Sequence, residues 1–188
     1  MKRFFADAAS SSVRASLNTF RSKDWCEAKA YKTPEVPLTA LPNPTLHHLV
    51  QRASAARRNA ATLPAVTGAI DYAKELKAQF PSEESAVVLV TDGSPSDCGS
   101  FGEVVGRLKA EAANVKTYVV ESRCRDLTFL ADMAKASGTG QAIMVDLANP
   151  ADERRVREGA RRHSRQSRLV PHAAAGRPRR QGALAEGG

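Results

Sequence analysis

Apolar positions along the chain switch between short unbroken runs and helical spacing, and that switching organises the whole sequence. Ala86-Val-Val-Leu-Val90 runs straight into Thr91-Asp92-Gly93. A short apolar run closed by turn residues predicts a strand buried on both faces, as in a parallel sheet. Val115-Lys-Thr-Tyr-Val-Val120 predicts a second strand, and Ala142-Ile-Met-Val145 a third after the turn Gly138-Thr-Gly140. Between the first two runs, Val104, Val105, Leu108 and Ala112 mark a helix over about 102–113, and a further helix is expected from Leu127 to Lys135. The clearest helix spans 63–79, with Pro64 in its first turn and Val66, Ile70, Ala73 and Leu76 as its buried stripe.

The remaining segments are less regular. Residues 1–9 read as the end of a helix with Phe4, Phe5 and Ala8 on one face, and residues 13–20 as a strand near an edge. Pro34, Pro37, Pro42 and Pro44 make 21–45 a loop-rich segment with at most one edge strand. Leu46 to about Ala56 and 151–161 are candidate helices. Strands alternating with helices predict an α/β fold, a doubly wound, mostly parallel sheet flanked by helices, over residues 1–162. Residues 163–188 have no periodic apolar face and are expected to be a disordered basic tail.

Charge reinforces that division. Of the formal net charge of +8, residues 151–188 carry +6 through ten arginines against four acids. The pI of about 9.8 therefore belongs to the end of the chain. Arg161, Arg162, Arg165, Arg168, Arg177, Arg179 and Arg180 could contact phosphates, so one function class is nonspecific nucleic-acid binding. No aromatics are interleaved with them, which argues against a base-reading module. No apolar stretch is long enough for a membrane span. Met1-Lys-Arg-Phe-Phe-Ala meets Asp7 before any useful apolar stretch, so the chain as written is expected to lack an export signal and to be cytoplasmic by default.

The chemistry centres on Asp92, which the pattern places at the carboxyl end of a strand, where open α/β sheets hold ligands. A buried carboxylate needs a partner. An active site, a metal, or the capping of the next helix would each supply one. Nothing suggests a nucleophilic triad: Gly93-Ser-Pro is not a nucleophile elbow, and Gly138-Thr-Gly140 is too short for a phosphate fingerprint. His47 and His48 are adjacent, so on a helix they diverge and cannot share a metal. Cys124, between Arg123 and Arg125, reads as a solvated loop cysteine. An enzyme is the least expected class.

Several strings in order resemble a von Willebrand factor type A (VWA) domain. They are Leu63-Pro-Ala-Val-Thr-Gly-Ala-Ile-Asp-Tyr-Ala73, Val87-Val-Leu-Val-Thr-Asp-Gly-Ser-Pro95, Val115-Lys-Thr-Tyr-Val-Val120, Leu127-Thr-Phe-Leu-Ala-Asp-Met-Ala134 and Ser137-Gly-Thr-Gly-Gln-Ala142. Cys26-Glu-Ala-Lys-Ala-Tyr31 with Pro34-Glu-Val-Pro-Leu38 looks like a bacterial extracytoplasmic subgroup. The resemblance covers about residues 1–160. It implies a protein-binding module that engages a partner through a metal-ion-dependent adhesion site, usually holding Mg²⁺.

Carried over residue by residue, that site is incomplete. Asp92 matches the acid of the third loop. The second loop reads Ala60-Ala61-Thr62, so Ala60 stands where the metal-facing Thr is expected and Thr62 matches the second Thr. The Asp-x-Ser-x-Ser first loop has no counterpart, and Ser10-Ser-Ser12 does not substitute for it. The resemblance thus implies a copy lacking its first, central strand, and an adhesion function that is metal-independent or lost. Mg²⁺ is expected only if the first loop is restored. Cys26 and Cys98 have counterparts in the subgroup and are implied as a disulfide of an exported parent; without export, free thiols are expected. Two readings of the tail stay open, a genuine basic segment and an out-of-frame translation. Arg162 through His172, read one base forward, can encode Ala-Ile-Arg-Gly-Ser-Arg-Ala-Ser-Cys-Pro-Met, similar to the subgroup's end.

Overall fold

A computed structural model describes residues 5–20, 26–43, 46, 61–91, 97–121 and 128–144. In chain order these form β1 (Arg14–Leu17), α1 (Ala28–Lys32), β2 (Val36–Ala40), α2 (Thr62–Gln79), β3 (Ala86–Thr91), α3 (Phe101–Glu111), β4 (Lys116–Glu121), α4 (Thr128–Ala136) and β5 (Ile143–Met144). The chain is a mixed α/β protein, with two sheets among the described residues. β3, β4 and β5 pair in parallel in that order, with Val87 opposite Thr117 and Leu89 opposite Val119. β1 and β2 form a separate antiparallel pair with a register shift between Ala15 and Leu17.

The helices that separate parallel strands must bury one stripe each. Val66 and Ile70 of α2, Val104 and Leu108 of α3, and Leu130 and Met133 of α4 all enter one cluster. Leu89 and Val119 lie side by side in the sheet and belong to the same cluster, so the three helices cover one face of it. Burying each of these large side chains contributes roughly 1.5–3 kcal/mol relative to exposure. A smaller cluster of Phe5, Val36, Leu41 and Leu46 receives Val13, Ala15 and Leu17 from β1.

β3 departs from the expected burial on both faces. Val87, Leu89 and Thr91 turn toward the helices, whereas Val88 is 53% exposed. Two-faced burial occurs instead on β4, where the consecutive residues Val119 and Val120 are both buried. The reason is position: β4 lies between two strands, while β3 has a described neighbour on one side only.

Local chemistry fixes the ends of the elements. Ser100 caps α3 in a reciprocal capping box: its Oγ accepts from the Glu103 backbone N–H at 3.3 Å, and its own N–H donates to Glu103 Oε2 at 2.7 Å. α4 ends in Ser137-Gly-Thr-Gly140, with both glycines at positive φ. Ser137 Oγ donates toward the Thr117 carbonyl at 2.6 Å, tying the helix end to β4. α2 and α3 are joined by Arg107, which donates to Asp71 at 2.7 Å and to Glu111 at 2.9 Å. Lys74 adds a third bond to Glu111 at 3.1 Å. Hydrogen bonds from Asn114 and Lys74 hold the Glu111 carboxyl below its ordinary range.

The segment 21–45 holds β2, as expected, and also the short helix α1, which the prolines had obscured. Phe5 and Ala6 are helical, and a 3₁₀ turn, Ala8–Ser10, capped by Asp7, follows them. The helices predicted over 46–56 and 151–161, and the tail 163–188, lie outside the described residues apart from Leu46.

Candidate functional site

The candidate site is the carboxyl edge of the parallel sheet, where Thr91 ends β3 and Gly99, further along the chain, lies against Leu63 in the first turn of α2. Thr91, the last residue of β3, is buried and leads directly into Asp92, which lies outside the described residues. Thr62 opens α2 and is 1% exposed, so its hydroxyl sits within the protein. Ala60 is also outside the described residues.

The loop after β3 returns at Cys98 and Gly99 to pack on the first turn of α2. A Cβ on Gly99 would stand 2.5 Å from Leu63 Cδ2, and the backbone there has φ +140°, so only glycine fits. Cys98 itself has φ 59°. Cys26 and Cys98 form a disulfide with Cα atoms 5.1 Å apart. That is the pairing the resemblance implied, and it replaces the free thiols expected of the chain as written. Beside it, two hydrogen bonds from Ser100, backbone N–H first and hydroxyl second, hold the Glu103 carboxyl below its ordinary range.

Capping of the helix after β3 was one role open to Asp92. Ser100 fills it. The sequence signal for this was present, since Ser100-Phe-Gly-Glu103 directly before an apolar stripe is a capping-box pattern.

Among the described residues no group of three His, Cys, Asp or Glu side chains is placed to hold a metal ion. Gly138-Thr-Gly140 closes α4 and binds its carbonyls: the Thr139 and Gly140 N–H groups both donate to Ala134 O at 3.1 Å. A groove of about 600 Å³ lies between α1 and α2, lined by Lys29, Lys32, Pro34, Asp71, Tyr72 and Glu75. The Lys32–Glu75 ion pair at 2.6 Å belongs to that groove. Its mixed charges stabilise the contact of the two helices and bring no nucleophile and base together.

His47, His48, Cys124 and the arginines Arg161, Arg162, Arg165, Arg168, Arg177, Arg179 and Arg180 lie outside the described residues. No helix among the described residues is long and apolar enough to cross a membrane. No family model matches the chain, and neither a curated protein nor a solved structure matches it significantly.

Proposed function

We propose that the chain is a VWA-like protein-interaction module that binds its partner without a metal ion. The observation that supports this most is the convergence at the carboxyl edge. Gly99 follows β3 in the chain, is next in sequence to the Cys26–Cys98 disulfide and lies against Leu63 at the start of α2, in the place where open α/β sheets present their ligand loops. The resemblance assigns Thr62 and Asp92 to the second and third loops of that edge, with Ala60 in the position of the expected ligand. Mg²⁺ holds its water tightly and needs more oxygen donors than these to bind. The doubly wound VWA arrangement fits the order α2-β3-α3-β4-α4-β5 and the parallel order of the three strands. The disulfide fits an oxidising compartment, in line with an exported parent.

The test is capture from extracts of the source cells on the immobilised full chain, with Mg²⁺ or with a chelator. A parallel variant has Arg161, Arg162, Arg165, Arg168, Arg177, Arg179 and Arg180 replaced by Gln. The same protein retained in all arms supports the proposal. Retention only with Mg²⁺ overturns metal independence. Retention of nucleic acid alone, lost in the arginine variant, favours a small basic nucleic-acid-binding protein instead.

A further inference from the structure

The Cys26–Cys98 bond joins the approaches to two helices that are held in different ways. Cys26 lies two residues before α1 and Cys98 three residues before α3. α3 has 11 residues and its own capping box from Ser100. α1 has 5 residues, and its N-cap residue Glu27 makes no side-chain cap bond. A helix that short does not persist on its own hydrogen bonds. Its far end is anchored by Tyr31, which is 2% exposed and whose carbonyl accepts from Asn18 Nδ2 at 2.8 Å. Its near end rests on the bare backbone at Gly68 and on the bond through Cys26.

That bond is open to solvent: Cys26 is exposed and Cys98 half-buried. Cys98 also has φ 59°, a left-handed conformation that a residue with a Cβ adopts at a cost. Opening the bond removes one constraint that holds Cys98 there. A disulfide resists reduction in the folded state when thiols cannot reach it, and exchanges when one of its sulfurs is accessible.

We infer that the Cys26–Cys98 bond is a thiol-exchange site, opened at Cys26 by a small thiol while the chain stays folded, and that its opening releases the start of α1 and leaves α3 in place. The thiolate of the small thiol attacks Cys26 Sγ and forms a mixed disulfide. The bond to Cys98 Sγ breaks, and its electron pair leaves on that sulfur, which takes a proton from water. A second small thiol then attacks the small-thiol sulfur of the mixed disulfide and frees Cys26, which is protonated in turn. Two thiols are oxidised to one disulfide as the Cys26–Cys98 bond is reduced. The oxidised chain thus holds α1 at both ends, and the reduced chain holds it only through Tyr31 and its packing on α2.

The experiment incubates the full, oxidised chain with reduced glutathione without denaturant, quenches with an alkylating agent, and maps both cysteines by mass spectrometry. The expected product carries glutathione on Cys26 and the alkyl group on Cys98, in about tenfold excess over the reverse arrangement. After full reduction, amide hydrogen exchange in 28–32 is expected to be about tenfold or more faster, with 101–111 still protected.

A bond that reacts only in denaturant overturns the inference, as does glutathione found equally or mainly on Cys98. Protection of 28–32 kept after reduction, or lost together with that of 101–111, overturns the selective release of α1. Capture of a partner by the oxidised chain bears on the interaction reading alone, so the two can fail separately.

Discussion

The two halves of the molecule reach order by different routes. The half built on β3, β4 and β5 packs three helices over one sheet face and buries a continuous cluster from Val66 to Ala134. Among the described residues, the half built on β1 and β2 buries Phe5, Val36, Leu41 and Leu46 in its own cluster. Those four residues by themselves supply too little apolar area to offset the ordering of two strands and a helix. The smaller half must therefore depend on the larger one. Its dependence is visible in three tethers: α1 lying against α2, the Arg14–Glu83 bridge, and the Cys26–Cys98 disulfide. A sheet's strands are thus ordered here by contacts at their ends and through a helix rather than by a shared ladder.

The largest expected effect comes from cutting the covalent tether. The disulfide closes a separation of 72 residues. Chain entropy puts its stabilisation at about 4 kcal/mol. The double variant Cys26→Ser, Cys98→Ser is expected to lose that much in urea unfolding, with a clear drop in Tm. A loss of about 1 kcal/mol or less would be at the floor of what a disulfide contributes, and would show that helix packing alone holds the halves together.

How far the sequence revealed this division depends on which physical signal each element carries. α2, α3, β4 and α4 were legible because their apolar positions repeat at one period over many residues, as with Val66, Ile70 and Ala73. α1 was not: five residues carry too short a pattern, and Pro34 and Pro37 beside it signal loops. β3 was legible as a strand, but its run of valines does not say which face is covered, because that depends on neighbours contributed from far along the chain. At the candidate site, the position of Asp92 after a strand was readable from Thr91-Asp92-Gly93. The packing of Gly99 on Leu63 was not, since nothing local couples residues so distant in sequence.

Gly68 carries the next largest effect. A Cβ at this position would lie 2.4 Å from the carbonyl oxygen of Ala28 and 2.8 Å from the backbone N of Lys32. Both are main-chain atoms, which cannot rotate away. Gly68→Ala is expected to push α1 off α2 and cost about 2 kcal/mol, the clash outweighing alanine's better helix propensity. Hydrogen exchange is the discriminating measurement: amides of α1, β1 and β2 should lose protection while those of β4 and α3 keep theirs. Uniform loss across both halves would show that they unfold as one unit and would remove the distinction between them.

The smallest effect acts within the larger half and has the opposite sign. Thr117 is fully buried on the helix-facing side of β4, and its Oγ1 has no hydrogen-bond partner among the described residues. Its carbonyl, in contrast, is well used, accepting from Ser137 Oγ at 2.6 Å. An unpaired buried hydroxyl has lost its water without recovering a bond, so exchanging it for a methyl of the same shape removes a cost. Thr117→Val keeps the backbone carbonyl, the β-branching and the volume. It is expected to raise the urea midpoint at constant m, corresponding to about 1 kcal/mol. Ser137→Ala breaks the neighbouring bond and should lose a similar amount. If Thr117→Val destabilises instead, the hydroxyl holds a bonded water. If it stabilises, the added protection should appear in β4 and α4 and leave β1 and β2 unchanged, which widens the separation between a half that stands on its own core and one that is held in place.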